Sequence, residues 1–181
     1  MASVISHAVA AAAIGSAAGP SPAPARFWTA AILCAVIPDL DAIGFRLGVP
    51  YGSLFGHRGI THSILFALLS AAAATVWAAR GAPPEFRTRV LLAFSLAALS
   101  HGFLDAGTNG GLGVAFLSPF SNHRYFFPFR PIEVSPIGIR PFFSARGIDV
   151  LGSEALWIWL PSAALAGIVW IIRYLRGVRR A

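Results

Sequence analysis

The chain has 181 residues, of which 56% are apolar and only 12% are charged, against about 25% charged in typical soluble domains. So little charge cannot cover the surface of a water-soluble globule of this size, which excludes a soluble enzyme and a disordered tail. All 14 basic residues are arginine and the net charge is +7, but the arginines are scattered or flank apolar segments. That pattern fits membrane-flanking positions and argues against nucleic-acid binding.

Five apolar segments read as helices that cross or partly enter a membrane: about residues 3–18, 27–45, 60–79, 88–106 and 154–175. The expected fold is therefore an all-α integral membrane protein, one embedded domain over residues 1–181. The first segment is short and alanine-rich. The Pro22-Ala23-Pro24-Ala25 that follows imitates a signal-peptidase site, but no basic residue precedes the run and prolines crowd the site, so the segment reads as retained. The second segment is interrupted by Pro38-Asp39. It holds Cys34, the single cysteine, which excludes an internal disulfide and a thiolate metal cluster and reads as an inert small hydrophobe. The third and fifth are long enough to cross about 30 Å of hydrocarbon. Between the fourth and fifth, residues 107–153 form one long connection rich in Gly, Pro, Phe and Arg. It reads either as a lid lying at headgroup depth or as a plug over the helix ends.

Ionisable groups inside apolar segments are costly and mark functional interiors. Here they fall into four clusters: His7; Asp39 and Asp41 in PDLD; His57 and His62 in HRGITHS; His101 and Asp105 in HGFLD. His101 and Asp105 are four residues apart on a helix and so share a face from which both can reach one metal ion. A break at Gly59 would let His57 fold back beside the turn that carries His62. Residues two apart on a continuous helix diverge, so one of Asp39 and Asp41 is the expected direct ligand. His and carboxylate suit catalytic zinc, while manganese or magnesium prefers more oxygen. His123 lies outside the clusters, in the long connection.

With five crossings, the four clusters reach one side of the membrane. The short arginine-bearing connections lie on the other: Arg26, then Arg80, Arg87 and Arg89, then Arg173, Arg176, Arg179 and Arg180. The positive-inside rule places those arginines in the cytoplasm and the clusters on the outer face of a bacterial cytoplasmic membrane. Arg124, Arg130, Arg140 and Arg146 in the long connection pull the other way.

In this order, His7, PDLD at 38–41, HRGITHS at 57–63 and HGFLD at 101–105 resemble the YdjM-like family of membrane-bound metal-dependent hydrolases, with SPFS at 118–121 similar to the family's following loop. The likeness covers about residues 1–125, and HRGITHS is its specific element. It implies that His7, Asp39, Asp41, His57, His62, His101 and Asp105 are the metal-site positions. More distantly, HxxxD resembles the helices of the zinc-dependent phospholipase C group, a likeness that says little about substrate.

The expected function is that of a metal-dependent hydrolase, using one or more zinc ions, or manganese, to activate a water. The substrate class is a phosphoester of a lipid or membrane-associated molecule. Asp39 or Asp41 takes the proton while the other holds metal or a ligating histidine. Arg58 pairs with a phosphoryl oxygen, or with one of those aspartates. Thr61 and Ser63 orient ligands or cap the helix. Two rival readings are a non-catalytic membrane protein with a structural metal and a cation carrier.

Overall fold

A computed structural model describes residues 1–178, so Arg179 and Arg180 lie outside the described residues. The architecture is all-helical. Helix α1 is Val4–Ala18, α2 Ala25–Val36, α3 Ile64–Ala78, α4 Pro84–Ala106, α5 Ile139–Phe142, α6 Ala145–Glu154 and α7 Leu160–Val178. Among the described residues there is no strand, only the isolated bridges Thr108–Ile132 and Val114–Tyr125.

Three continuous helical stretches are long and apolar enough to cross a membrane: Ala25–Phe45, Pro84–Ala106 and Ala145–Gly177. The first joins α2 to a 3-10 segment, Ile37–Phe45. Pro38 has no N–H to continue α-helical bonding, and the tighter winding starts beside it. The third expected crossing is shorter than its composition indicates. Ser63 is extended and its hydroxyl accepts from Phe66 N at 3.1 Å, so α-helix begins only at Ile64 and residues 60–62 form a separate 3-10 turn. The 15 residues of α3 rise about 22 Å, less than a hydrocarbon core. At the chain's far end the helix starts earlier than expected, at Ala145, and passes through a π segment, Ala155–Trp159, into α7.

Helix α4 is the centre of the bundle, packed against α1, α2 and α3, while α7 docks on α1. Small residues set the closeness of this packing. Ala30, Ala31, Ala67, Ala71, Ala93 and Ala98 are buried around Phe27 and Phe94, whose rings stack 5.1 Å apart. Cys34 is buried in the same cluster. The outer flank of α7 is apolar and uncovered, with Ile168, Trp170, Ile171 and Tyr174 all exposed, as lipid contact requires.

The long connection is tied down across the end of the bundle. Ala115 N donates to Arg58 O, Ile64 N to Phe116 O, Phe127 N to Ala106 O and Ser135 N to Met1 O. Its outward side carries Phe120, Phe129, Ile139 and Phe143, all more than half exposed. The segment therefore covers the helix ends with its backbone and offers apolar rings outward.

Candidate metal centre

Four separate pieces of chain meet at this end of the bundle. His7 lies in the second turn of α1, Asp39 and Asp41 in the 3-10 segment after α2, His57 and His62 before α3, and His101 and Asp105 in the last turns of α4. The side chains of His7, His62, His101 and Asp105 are wholly buried, and those of Asp39, Asp41 and His57 nearly so.

The turn that brings His57 to His62 differs from the expected one in a single respect. The left-handed residue is Arg58, at φ 62°, and not Gly59. Gly59 N bonds to Gly56 O and Ile60 N to Leu54 O, closing a compact loop. A Cβ at Gly59 would strike the Leu54 carbonyl, so the glycine is required for space. The two imidazoles end 5.5 Å apart, edge to face.

Hydrogen bonds fix the histidine tautomers. His101 Nδ1 lies 2.7 Å from Ala35 O, and a carbonyl can only accept, so Nδ1 carries the proton. His57 Nδ1 donates to Asp41 Oδ1 at 2.5 Å. Thr61 donates to Asp41 Oδ2 at 2.6 Å, which leaves its oxygen to accept from His62 Nδ1 at 3.0 Å. In all three rings Nε2 keeps a free lone pair. Orientation of a ligating imidazole through its other nitrogen is the usual support of a metal site.

Those lone pairs have no protein partner. Nε2 of His7, His57, His62 and His101, both oxygens of Asp39 and Oδ2 of Asp105 are buried without a hydrogen bond. They are close nonetheless. His7 Nε2 is 3.4 Å from Asp105 Oδ1, His62 Nε2 3.4 Å from Asp105 Oδ2, and His101 Nε2 3.5 Å from Asp39 Oδ1. His62 Nε2 and His7 Nε2 stand 3.6 and 3.8 Å from Asp39 oxygens. Ligands about 2.0–2.1 Å from a tetrahedral ion are about 3.4 Å from one another. Two sets of potential ligands result: His7, Asp39, His101 and Asp105, and Asp39, His57 and His62. Asp39 belongs to both. A buried orphan atom is expensive, and this concentration of ligand-type atoms in two groups could hold a metal ion.

The remaining expected residues stand around this centre. Asp41 is spent on His57, Thr61 and the Arg58 N–H, at 3.2 Å. Of the two PDLD aspartates, Asp39 is thus the one with free oxygens. Arg58 is wholly buried and turns to Asp105, with Nε 3.2 Å from Oδ2, rather than to Asp39 or Asp41. Its Nη1 donates to Gly110 O and its Nη2 to Thr108 Oγ1, so each nitrogen of the guanidinium faces a protein acceptor. Gly111, at φ 88°, lets the chain pass: a Cβ there would come within 3.0 Å of Arg58 Nη1. Ser63 caps α3. His123 is exposed, against Tyr125, away from the centre.

Three supports were not foreseen. Thr108 links Arg58 to the Asp105 carbonyl. Arg124 donates to the carbonyls of Tyr51, Ser53 and His57 and lies over the Tyr51 ring, locking the long connection onto the HRGITHS turn. Burial pushes the Tyr51 hydroxyl above its ordinary value, which keeps it neutral there. Glu154 is wholly buried and accepts from Ser3 N, from Ser3 Oγ at 2.6 Å and from Ser6 Oγ at 2.7 Å, fixing the first turn of α1 one residue before His7. An acidic residue at the head of the last apolar segment was the signal for it.

Fold and site together define an integral membrane helical bundle with a buried His/Asp centre able to hold metal at one end. The chain belongs to the YdjM inner membrane protein family, whose sequence profile matches residues 1–178. It is 38% identical over 174 residues to the inner membrane protein YbcI of Escherichia coli (strain K12), covering 94% of this chain and 98% of that protein. The match extends past residue 125 to include the final helices. No solved structure matches the chain significantly, and the likeness to the phospholipase C group rests on its motif alone.

Proposed function

We propose that this protein is a metal-dependent hydrolase of the inner membrane, acting on a phosphoester of a lipid or membrane-associated substrate. One observation carries the reading: two converging sets of unpartnered N and O atoms share the Asp39 carboxylate, both of whose oxygens are free. Shared carboxylates are a natural feature of two-ion sites. His7, His101, Asp105 and Asp39 would hold one ion, and His57, His62 and Asp39 a second. The N/O donor set without sulfur fits zinc, and manganese next. A bound divalent ion supplies hydroxide at neutral pH by lowering the pKa of its water to about 7.

The chain's own residues do the rest. Asp41 holds His57 and, through Thr61, His62 in the ligating tautomer. Arg58 offsets the Asp105 charge and anchors it. Burial keeps the donors in low dielectric, where their electrostatic effect is largest.

In the orientation that the short arginine-bearing connections favour, this centre faces away from the cytoplasm. In a Cys34→Ala background, a cysteine replacing Ser121 should react with an impermeant reagent in intact cells and one replacing Thr88 should not; the reverse pattern refutes this orientation.

The function is tested on the purified full-length chain. Elemental analysis should find one to two equivalents of metal. Phosphomonoester and phosphodiester lipids in vesicles should be hydrolysed, with activity lost on chelation and in Asp39→Asn. Metal without hydrolysis would indicate a structural ion. Less than about half an equivalent, with no gain on adding zinc or manganese, would refute the site itself.

A further inference from the structure

We propose that a second, separate site at the opposite end of the bundle binds the phosphodiester headgroup of an anionic phospholipid. A cavity of about 430 Å³ lies between the end of α1, the start of α4 and the end of α7, and Arg89, Arg173 and Arg176 line it with Ser21. Its α7 wall also carries Val169 and Ile172. Residues three and four apart share a helix face, so Val169, Ile172, Arg173 and Arg176 form one stripe, apolar towards the membrane centre and cationic towards its edge.

That gradient matches a lipid placed with its chains along the apolar part and its phosphate among the guanidinium groups. The depth is fixed independently. On the same helix Trp170 and Tyr174 are exposed and stacked, with ring centroids 5.8 Å apart, and such aromatic pairs occupy the membrane–water boundary. The cations are also available. Among the described residues, arginine ion pairs involve Arg58 and Arg146, and arginine side-chain hydrogen bonds come from Arg58, Arg124 and Arg146. Three guanidinium groups lining one cavity, with no acceptor among the described residues, select an anionic headgroup over a zwitterionic one. This inference does not depend on the metal centre.

Native mass spectrometry of the full-length protein, released from detergent with added phosphatidylglycerol or phosphatidylcholine of matched chains, tests it. The unaltered protein should retain phosphatidylglycerol at least about tenfold better. Arg89→Gln/Arg173→Gln/Arg176→Gln should lose that preference, with metal content unchanged. Arg46→Gln/Arg140→Gln, exposed arginines at the other end, should keep it. Equal retention of the two lipids by the unaltered protein overturns the proposal whether or not the triple variant folds. So does an undiminished preference in that variant. Displacement of phosphatidylglycerol by millimolar inorganic phosphate would show a simple anion site and overturn the lipid assignment.

Discussion

Two buried polar centres lie within a few residues of each other on α1, and they are built on opposite rules. Around Glu154 every polar atom has a partner: the carboxylate takes Ser3 N, Ser3 Oγ and Ser6 Oγ, and Ser6 Oγ in turn accepts from Trp159 Nε1 at 2.7 Å. Around Asp39, one turn further along the helix at His7, eight His and Asp atoms make no hydrogen bond, and of these only Asp105 Oδ2 has an ion-pair partner outside the set, Arg58. Saturation makes the first centre a rivet between α1 and the start of the last membrane helix. Unpaired donor atoms in the second could hold a metal ion. The two are buried alike and differ in whether their donors and acceptors are paired.

The contrast can be broken from either side. The largest effect is expected at a residue that combines saturated bonds with a place in the metal centre. Asp105 accepts Ala2 N at 2.7 Å and pairs with Arg58 as well as facing the histidines. Asp105→Ala should therefore abolish metal binding and also destabilise the protein by about 3–5 kcal/mol, because it strands a buried guanidinium. Thermal melting with and without chelator reads both losses. An unchanged melt in chelator would mean that Arg58 finds another partner.

Glu154→Ala should lower stability by about 3 kcal/mol, equally in the metal-free and metal-loaded forms, while Glu154→Gln recovers most of it. If chelation erased the difference, Glu154 would belong to the metal centre and the distinction between the two centres would fail.

His101→Ala and Asp39→Asn reverse that pattern. Asp39→Asn removes an unpartnered buried charge, so the metal-free protein should melt within about 1 kcal/mol of the parent or slightly higher. His101→Ala also loses the Nδ1 bond to Ala35 O and should cost about 1–3 kcal/mol. Metal affinity, read by competition with a chromophoric chelator, should fall by more than about a hundredfold, beyond the loss typical of outer supports. Asp41→Asn removes such a support and should cost about 10–100-fold. Full metal content in His101→Ala would end the HxxxD interpretation.

The smallest effects are controls on the surface. His123→Ala should change neither metal content nor stability. Glu133, held below its ordinary pKa by hydrogen bonds from Asn109 and Arg146, pairs with Arg146 at 2.6 Å in a half-exposed setting. Its depressed value means that the pair stabilises above the unfolded carboxylate range and is lost as pH falls through the folded value. Glu133→Gln at neutral pH should cost less than about 1 kcal/mol.

Much of this molecule is legible in its sequence, because the bilayer imposes a simple rule: few charges survive in apolar segments, and each needs a reason. Composition alone determined a helical membrane protein. The positions of His7, PDLD, HRGITHS and HGFLD, with alternating helix direction, determined that four clusters meet at one end. What lay beyond reach was the division of labour among those residues. Asp39 and Asp41 are two apart in sequence and equivalent in chemistry. Only the 3-10 winding past Pro38 and the Thr61 and His57 hydrogen bonds decide that one is saturated and the other free. Arg58 could have faced any of three aspartates, and its left-handed backbone turns it to Asp105. Glu154 stands more than 140 residues from its serine partners. Such pairings depend on how helices dock, which local pattern does not encode, because hydrogen bonds are satisfied by whatever the packed neighbour presents and not by what adjoins in sequence.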